Sequence, residues 1–529
     1  MAHSRMIRGN LAAALMTLSL GVGPVTAGPR VLRVGTFHGQ AGDYTTIQDA
    51  VDAAQPGDWI VIAPGDYHER GDYTRAGPNG QAGAGVLIRT PNLHIRGLDR
   101  NRVILDGTRP GSAPCDSSPD AQDFGPLDRG GQPTGRNGIE VFEVDGVTNE
   151  NLTACNFLTG AAGGGNEIWF NGGDGTGTVN MGGYRGAYLS ATATVFLGTD
   201  APGAEYGIFA SNVRGPGVIE HTYASNMRDA SYYVGACPDC NTVLRYAHAE
   251  NSALGYSGTN SGGHLIVEKS EWDENTTGIS TNSQNNDDAP SPQDGACPAD
   301  EVGQGRHSCT LFRRNYIHDN NNPNVPRSGT AALAPVGTGM ILAGGRDDTV
   351  ASNRVLNQGA WGILVVPYPD PGPHPPVAHC EGGIPDILIP GIPMAGACFY
   401  DSWGHEVTKN HFGNVGFFGN ATNGDLADLS GRHDPGNCWH GNVDESHVVS
   451  SAPANLQETH AKCGVPNAGA GLGSELARQV ICATEVFGPC PDAPGQHYPR
   501  ATQVQLKPLP PQRTMRDPCK GVPANPWCP

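Results

Sequence analysis

Acidic residues recur where short repeated segments turn. "VIEHTYASN" ends at Asn226, "VLRYAHAEN" at Asn251, "IVEKSEWDEN" at Asn275 and "LFRRNYIHDN" at Asn320. Glu250, Glu274 and Asp319 immediately precede the last three asparagines, Asp273 stands beside Glu274, and Arg228 and Asp229 follow the first. On strands stacked ~4.8 Å apart, equivalent carboxylates on neighbouring coils would lie about that far apart, and Glu250 and Asp319 about twice as far. These separations bracket the ~5 and ~6.5–9.5 Å spacings of retaining and inverting glycoside hydrolysis. Crowded carboxylates also raise one another's pKa or gather Ca2+, and Glu274 and Asp319 are the candidate ligands. Arg228 and His318 are the nearest groups for the base that a lyase needs. The candidate catalytic set is therefore Glu250, Asp273, Glu274, Asp319, Asp229, Arg228 and His318. The plain alternative is that acids in turns only solvate the surface.

Such stacking requires a repeat. The steps between the four asparagines are 25, 24 and 45 residues, the last being one period plus an insertion. A second column consists of "YGIFAS" from Tyr206, "SYYVGA" from Ser231, "GYSGTN" from Gly255, "GISTNS" from Gly278, "TGMILAG" from Thr338 and "WGILVV" from Trp361. A unit this short holds three strands and three turns and buries no face unless it stacks on the next copy. Alternation such as "IVEKSEW" has the period of strands. Asn156, Asn315, Asn353 and Asn410, each two places before an apolar residue, suggest a ladder of stacked amides. The coil that results is a parallel β-helix. In this alignment His248 shares the position of Trp272 and Ile317 and reads as a buried, satisfied histidine.

The stretch "TIQDAVDAAQPGDWIVIAPGDYHE" places a helix with Ile47, Val51 and Ala54 on one face just before a buried strand, with Pro56-Gly57-Asp58 as the stop. With the repeats behind it, the chain resembles the pectin-lyase-like superfamily of right-handed parallel β-helices over residues 31–419. The opening helix resembles that superfamily's N-terminal cap, which plugs the open end of the coil. The resemblance implies an all-β fold and says little about activity, because the scaffold hosts many functions. Polygalacturonases on it carry Asn-Thr-Asp, whereas Asn275-Thr276-Thr277 has threonine where the aspartate should be. The Asp-Pro-His-Asp pattern of mannuronan epimerases is absent.

Two insertions, 284–308 and 367–403, leave the repeat at the same turn and would wall a cleft. Residues 1–27 read as a secretory signal, with an apolar run too short for the ~20 residues a membrane span needs, and no later segment is apolar enough. Residues 31–110 form the cap and first coils, 111–419 the β-helix, and 420–529 a Cys- and Pro-rich C-terminal cap or a tail packed along the coils. Fourteen cysteines fit an oxidising compartment. Local pairs are expected (Cys297–Cys309, Cys380–Cys398, Cys482–Cys490, Cys519–Cys528), with Cys237-Pro-Asp-Cys240 as a small staple. Against 33 basic residues stand 52 acidic ones, and a surface with a net charge of −19 repels nucleic acid and anionic lipid, so neither is an expected partner.

The expectation is a secreted or extracytoplasmic monomer that binds a polysaccharide or cell-envelope glycan and cleaves or modifies it as a lyase, hydrolase or epimerase. The alternative is a noncatalytic surface or envelope protein for scaffolding or adhesion.

Overall fold

The computed structural model describes residues 28–71, 82–174, 177–284, 309–370, 388–389, 392–393, 398–433, 435–484 and 497–529. The expected signal, all but Gln284 of the first insertion and more than half of the second lie outside the described residues.

Strands that alternate apolar and polar side chains can bury one face only if another sheet meets it, and here three parallel sheets wind around one interior. The first two run into each other around a bend, Val147–Cys155 and Tyr184–Thr192 contributing to both, and the third has eleven strands. In the third sheet Val86, Ile139, Ile168, Ile208, Tyr232, Tyr256, Ile279, Met340, Ile363 and Leu426 stand in continuous register, all buried. Every coil thus adds one large apolar side chain to the same interior column. The chain is a parallel β-helix, and its pairing continues past residue 419 to Ser451–Ala452.

Helix α1, Ile47–Ala53, covers the N-terminal end with Ile47, Ala50 and Val51 buried. Thr46 Oγ1 accepts from Asp49 N at 3.2 Å, and Glu69 reaches back to accept from Ile47 N at 2.6 Å and Gln48 N at 3.2 Å. The two carboxylate oxygens satisfy amides that a helix start leaves without partners. At the other end, α2 (Leu456–Thr459) and α3 (Glu475–Ala483) follow the last coils, and α3 packs Leu476, Ala477 and Ala483 beside Trp361 and Leu364 on the outer face of the third sheet. No described helix is long and apolar enough to cross a membrane.

Residues 497–529 run back along the coils as a strap. His497 N donates to Asn420, Gln505 N to the carbonyl of Asn324, Lys507 N to Asn226, Gln512 N to Asn101 and Arg516 N to Asn151. The strap ends with Trp527 seated against Val61, Ala63 and Leu98 in the first coils. Among the described residues, disulfides join Cys115–Cys155, Cys237–Cys240, Cys438–Cys463 and Cys519–Cys528. The last is one of the expected local pairs and Cys237–Cys240 the expected staple. The other three expected pairs each include a cysteine outside the described residues.

The structural register differs from the sequence alignment by one residue in the middle coils. Ser225, Glu250, Asp273 and His318 lie opposite one another, so the next column is Asn226, Asn251, Glu274 and Asp319, all with positive φ. Asparagine and aspartate tolerate this left-handed turn better than most residues. The aligned Asn275 and Asn320 sit one place further on, buried, with Asn275 Nδ2 donating to Asn320 Oδ1 at 3.0 Å. A one-residue shift moves side chains to the opposite face. His248 accordingly lies opposite Glu271 and Tyr316 on the outer face and is not the core residue expected.

Candidate functional site

The predicted residues divide between two places. Glu250, Asp273, Glu274, Asp319 and His318 gather on the outer face of the second sheet and its following turn. Arg228 and Asp229 lie past that turn, at the start of the third-sheet strand Ala230–Gly235.

On the second-sheet face nearly every charge has a partner. His248 Nε2 is 2.7 Å from Asp273 Oδ1, and His318 lies 3.1 Å from Glu271 Oε1 and 2.8 Å from Asp319 Oδ2. Burial opposes the charged imidazoles, but their carboxylate neighbours outweigh it and raise both pKa values. Glu250 accepts from Tyr223 Oη at 2.6 Å and from Lys507 Nζ at 2.6 Å, and the same ammonium pairs with Glu274. Glu250 lies opposite Asp273 rather than Glu274, and Glu250 and Glu274 form the two jaws of a clasp on the strap. Glu274 and Asp319 do stand opposite each other, but Lys507 and His318 already compensate them, which argues against the expected calcium pair.

Burial raises the pKa of Glu250, but its bonds to Lys507 and Tyr223 outweigh that and lower it overall. A lowered carboxyl pKa adds stability above the unfolded-state value of ~4.3, and that stability is lost as pH falls through the folded value. Lys507→Met should therefore cost about 1–2 kcal/mol at neutral pH and progressively less in acid, measured by urea unfolding across pH.

A cavity of about 320 Å³ opens over the outer face of the third sheet, between the 3-10 turn Gly329–Leu333, α3 and the chain at Pro367–Pro369. Tyr206, Phe209 and Tyr233 form its aromatic wall, with ring centroids 4.6–5.3 Å apart, and Phe209 stacks on Trp169 at 5.0 Å. Ser257, Ser280 and Asn282 line the polar part of the floor. The roots of the two insertions meet at its edge, where Gln284 Nε2 donates to Tyr368 Oη at 3.2 Å.

Asp229 also lines this cavity. Burial, then the nearby Glu205 carboxylate, pushes its pKa up to about 7, against the opposing pull of a Tyr206 hydrogen bond and Arg228. Glu205 has a different environment: Arg228 Nε lies 2.9 Å from its Oε1, and Ser328 Oγ donates to its Oε2 at 3.1 Å. Arg228 is held further by Ser328 Oγ at 2.8 Å and by the carbonyl of Ala201. Burial raises the Glu205 carboxyl as well, against the pull of Arg228 and Ser328, so both neighbouring carboxyls are shifted upward, and a raised carboxyl in a cavity is a candidate proton donor. Sequence alignment picked out Asp229 and Arg228 but missed the aromatic wall. Its signal was present in the outward positions of "NEIWFN", "YGIFAS" and "SYYVGA", where Trp169, Phe209 and Tyr233 share one register.

No protein-family profile and no curated protein matches the sequence. Among solved structures, the chain is similar to the A-module of an Azotobacter vinelandii mannuronan C-5 epimerase, with 12% identity over 77% of this chain and 86% of that one and a TM-score of 0.31. It is also similar to a mannuronic acid specific polysaccharide family 6 lyase from human gut microbiota, with 13% identity, 78% and 79% coverage and a TM-score of 0.36. A third is the tailspike of E. coli bacteriophage HK620 in complex with a pentasaccharide, with 11% identity, 77% and 60% coverage and a TM-score of 0.39. Likeness at this level carries no argument about chemistry, and the fold rests on the strand register itself.

Proposed function

We propose that this β-helix is an extracytoplasmic protein that binds a glycan in the cavity over its third sheet and modifies it by acid–base chemistry, with Asp229 as the proton donor. The observation that carries the reading is the placement of an aromatic wall, a hydroxyl- and amide-bearing floor and a carboxyl with a pKa of about 7 in one cavity. Sugars present an apolar C–H face and a rim of hydroxyls, and a site for them needs both surfaces. Tyr206 is the positioning residue, bonded to the Asp229 carboxyl, while Glu205 and Arg228 set the local charge around it. The disulfides and the leader-like residues 1–27 fit export into an oxidising compartment.

One observation favours a second reading. Glu250 and Glu274 are held by Lys507, and Glu205 by Arg228, so Asp229 is the one carboxyl among the described residues lining the cavity. A noncatalytic envelope protein that only holds glycan would show the same pattern.

Incubation with a panel of neutral, acetylated and uronate oligosaccharides, followed for binding by calorimetry and for turnover by reducing ends and unsaturated-uronide absorbance, separates the two. Phe209→Ala should weaken binding about tenfold, the worth of ~1.4 kcal/mol of lost stacking. Binding without turnover of any panel member assigns the protein to adhesion. Binding unchanged in Phe209→Ala places the glycan elsewhere and removes the cavity from either role.

A further inference from the structure

The sharp bend between first-sheet strands such as Thr310–Arg313 and second-sheet strands such as Tyr316–His318 carries a column of residues that the turn does not explain. Register places Tyr188, His221 and Tyr246 on successive coils, followed by Lys269, Arg314 and, past Ser352, Lys409. All have a left-handed φ between 50° and 58°. At the following bend, between the second and third sheets, the same conformation falls mostly to Asn226, Asn251, Asp319, Asn357 and Asn414, residue types that tolerate it. Tyrosine, lysine and arginine seldom adopt it, so their presence along one line is a matter of their side chains.

Those side chains make the line electropositive along its length. Tyr188 stacks on His221 and His221 on Tyr246, both with ring centroids 4.8 Å apart. Stacking spends the ring faces, so the exposed part is the ring edge, which is the positive part of an aromatic quadrupole. Lys269 Nζ, 5.6 Å from the Tyr246 ring, continues the line. Arg314 and Lys409 are exposed and have no carboxylate partner among the described residues. The flanking strands add Arg313 on one side, and Arg354 and His411 on the other. From Arg314 to Lys409 neither this column nor the two beside it contains an acid. Earlier along the line, Glu220 is held by Arg185 and Arg245, and Glu268 by Arg313.

We propose that this ridge is a second binding surface, which holds a linear acidic polysaccharide along the axis of the coil. From Tyr188 to Lys409 the line covers six coil steps, roughly 29 Å at ~4.8 Å each. Arginines present carboxylates with a planar fork, and the phenol and imidazole edges offer hydrogen bonds to sugar hydroxyls.

Charge spacing selects this partner over other anions. A DNA duplex carries one charge per ~1.7 Å and would bring that density against a chain of net charge −19. A polymer with one carboxylate per sugar spreads its charges over distances comparable to the coil step, so each meets a cation of the ridge with few left over. The ridge lies at the bend of the first and second sheets, and the cavity over the third, so this surface stands independently of any chemistry at Asp229.

The test measures binding of the full-length protein to polygalacturonate by calorimetry, beside the methyl ester of the same polymer, double-stranded DNA and phosphatidylglycerol vesicles. Polygalacturonate should bind, with an affinity that falls as salt rises, and the uncharged ester should bind at least about tenfold more weakly. Arg314→Glu combined with Lys409→Glu should weaken polygalacturonate binding at least about tenfold, and the neutral pair Arg314→Gln and Lys409→Gln should fall between. Both positions are exposed, and the following bend already holds Glu274 in the same backbone conformation, so the fold accommodates the change. Arg214→Glu, which reverses a side chain 59% exposed between the third and first sheets, should leave the affinity unchanged. Absence of polygalacturonate binding, equal binding of the ester, or an affinity unaltered in the double reversal would each overturn the proposal. An equal loss in Arg214→Glu would reduce the effect to overall charge, and tighter binding of DNA or vesicles would assign the ridge to another partner; either result overturns it as well.

Discussion

Asp229→Asn is expected to lower turnover of a bound glycan by about two to four orders of magnitude, the usual contribution of a positioned proton donor. With a pKa of about 7 in the folded protein, Asp229 is protonated below neutrality. A general acid of this kind gives a rate that is level in acid and falls tenfold per pH unit above about 7, and the asparagine variant should lose that limb. Stability supplies a readout that needs no substrate. The folded pKa is raised above the unfolded value of ~3.9, so between those two values the folded state holds a proton that the unfolded state has released. Stability therefore falls as pH rises from ~4 to about 7 and is level beyond, and Asn in place of Asp229 should make the fall shallower. The fall will not vanish, because burial also pushes Glu140 up to about 7 and Asp66 up to about 6. A variant with wild-type pH dependence in both rate and stability would remove Asp229 from the chemistry.

Asp229 is legible in the sequence as one of a set of turn acids, but the structure places it by the third sheet, apart from Glu250, Asp273 and Glu274 on the second. Repeated turns revealed the coil because stacking forces chemically similar residues into register, and the α1 cap was legible because its apolar spacing is local. The acids could not be placed by the same means. Whether Glu250 faces Glu274 or Asp273 depends on a one-residue difference in coil length, and a shift of one reverses the faces of a strand. The partner that neutralises Glu250 and Glu274, Lys507, comes from the far end of the chain. No local pattern announces a contact between residues separated by 257 positions. The cavity was hidden for the same reason, since its wall joins third-sheet strands to α3, which follows the last coil.

The amide ladder shows the opposite case, in which a local pattern set a long-range network, and it leads to the largest stability prediction. Asn315, Asn353 and Asn410 stack as the sequence suggested and continue to Asn442, whereas Asn156 departs from them and bonds to Thr194. Asn353 is fully buried. Its Nδ2 donates to the carbonyl of Phe312 at 3.1 Å and to Asn410 Oδ1 at 2.9 Å, and its Oδ1 accepts from Asn315 N and Nδ2, both at 3.0 Å. Leucine, similar in volume, would leave the Asn315 amides and the Phe312 and Asn410 oxygens without these partners. Each stranded buried group costs about 1–3 kcal/mol, and partial rehydration brings the sum to about 5 kcal/mol. Asn353→Leu should therefore lower the urea midpoint sharply. Asn414, whose amide makes one exposed bond to Asn357 Oδ1 at 3.0 Å, provides the contrast. Asn414→Gly, which suits the left-handed backbone at φ 53°, should change stability by no more than about 0.5 kcal/mol. Equal losses at the two sites would mean that the buried amides contribute no more than surface turn contacts, and that apolar stacking alone holds the coils in register.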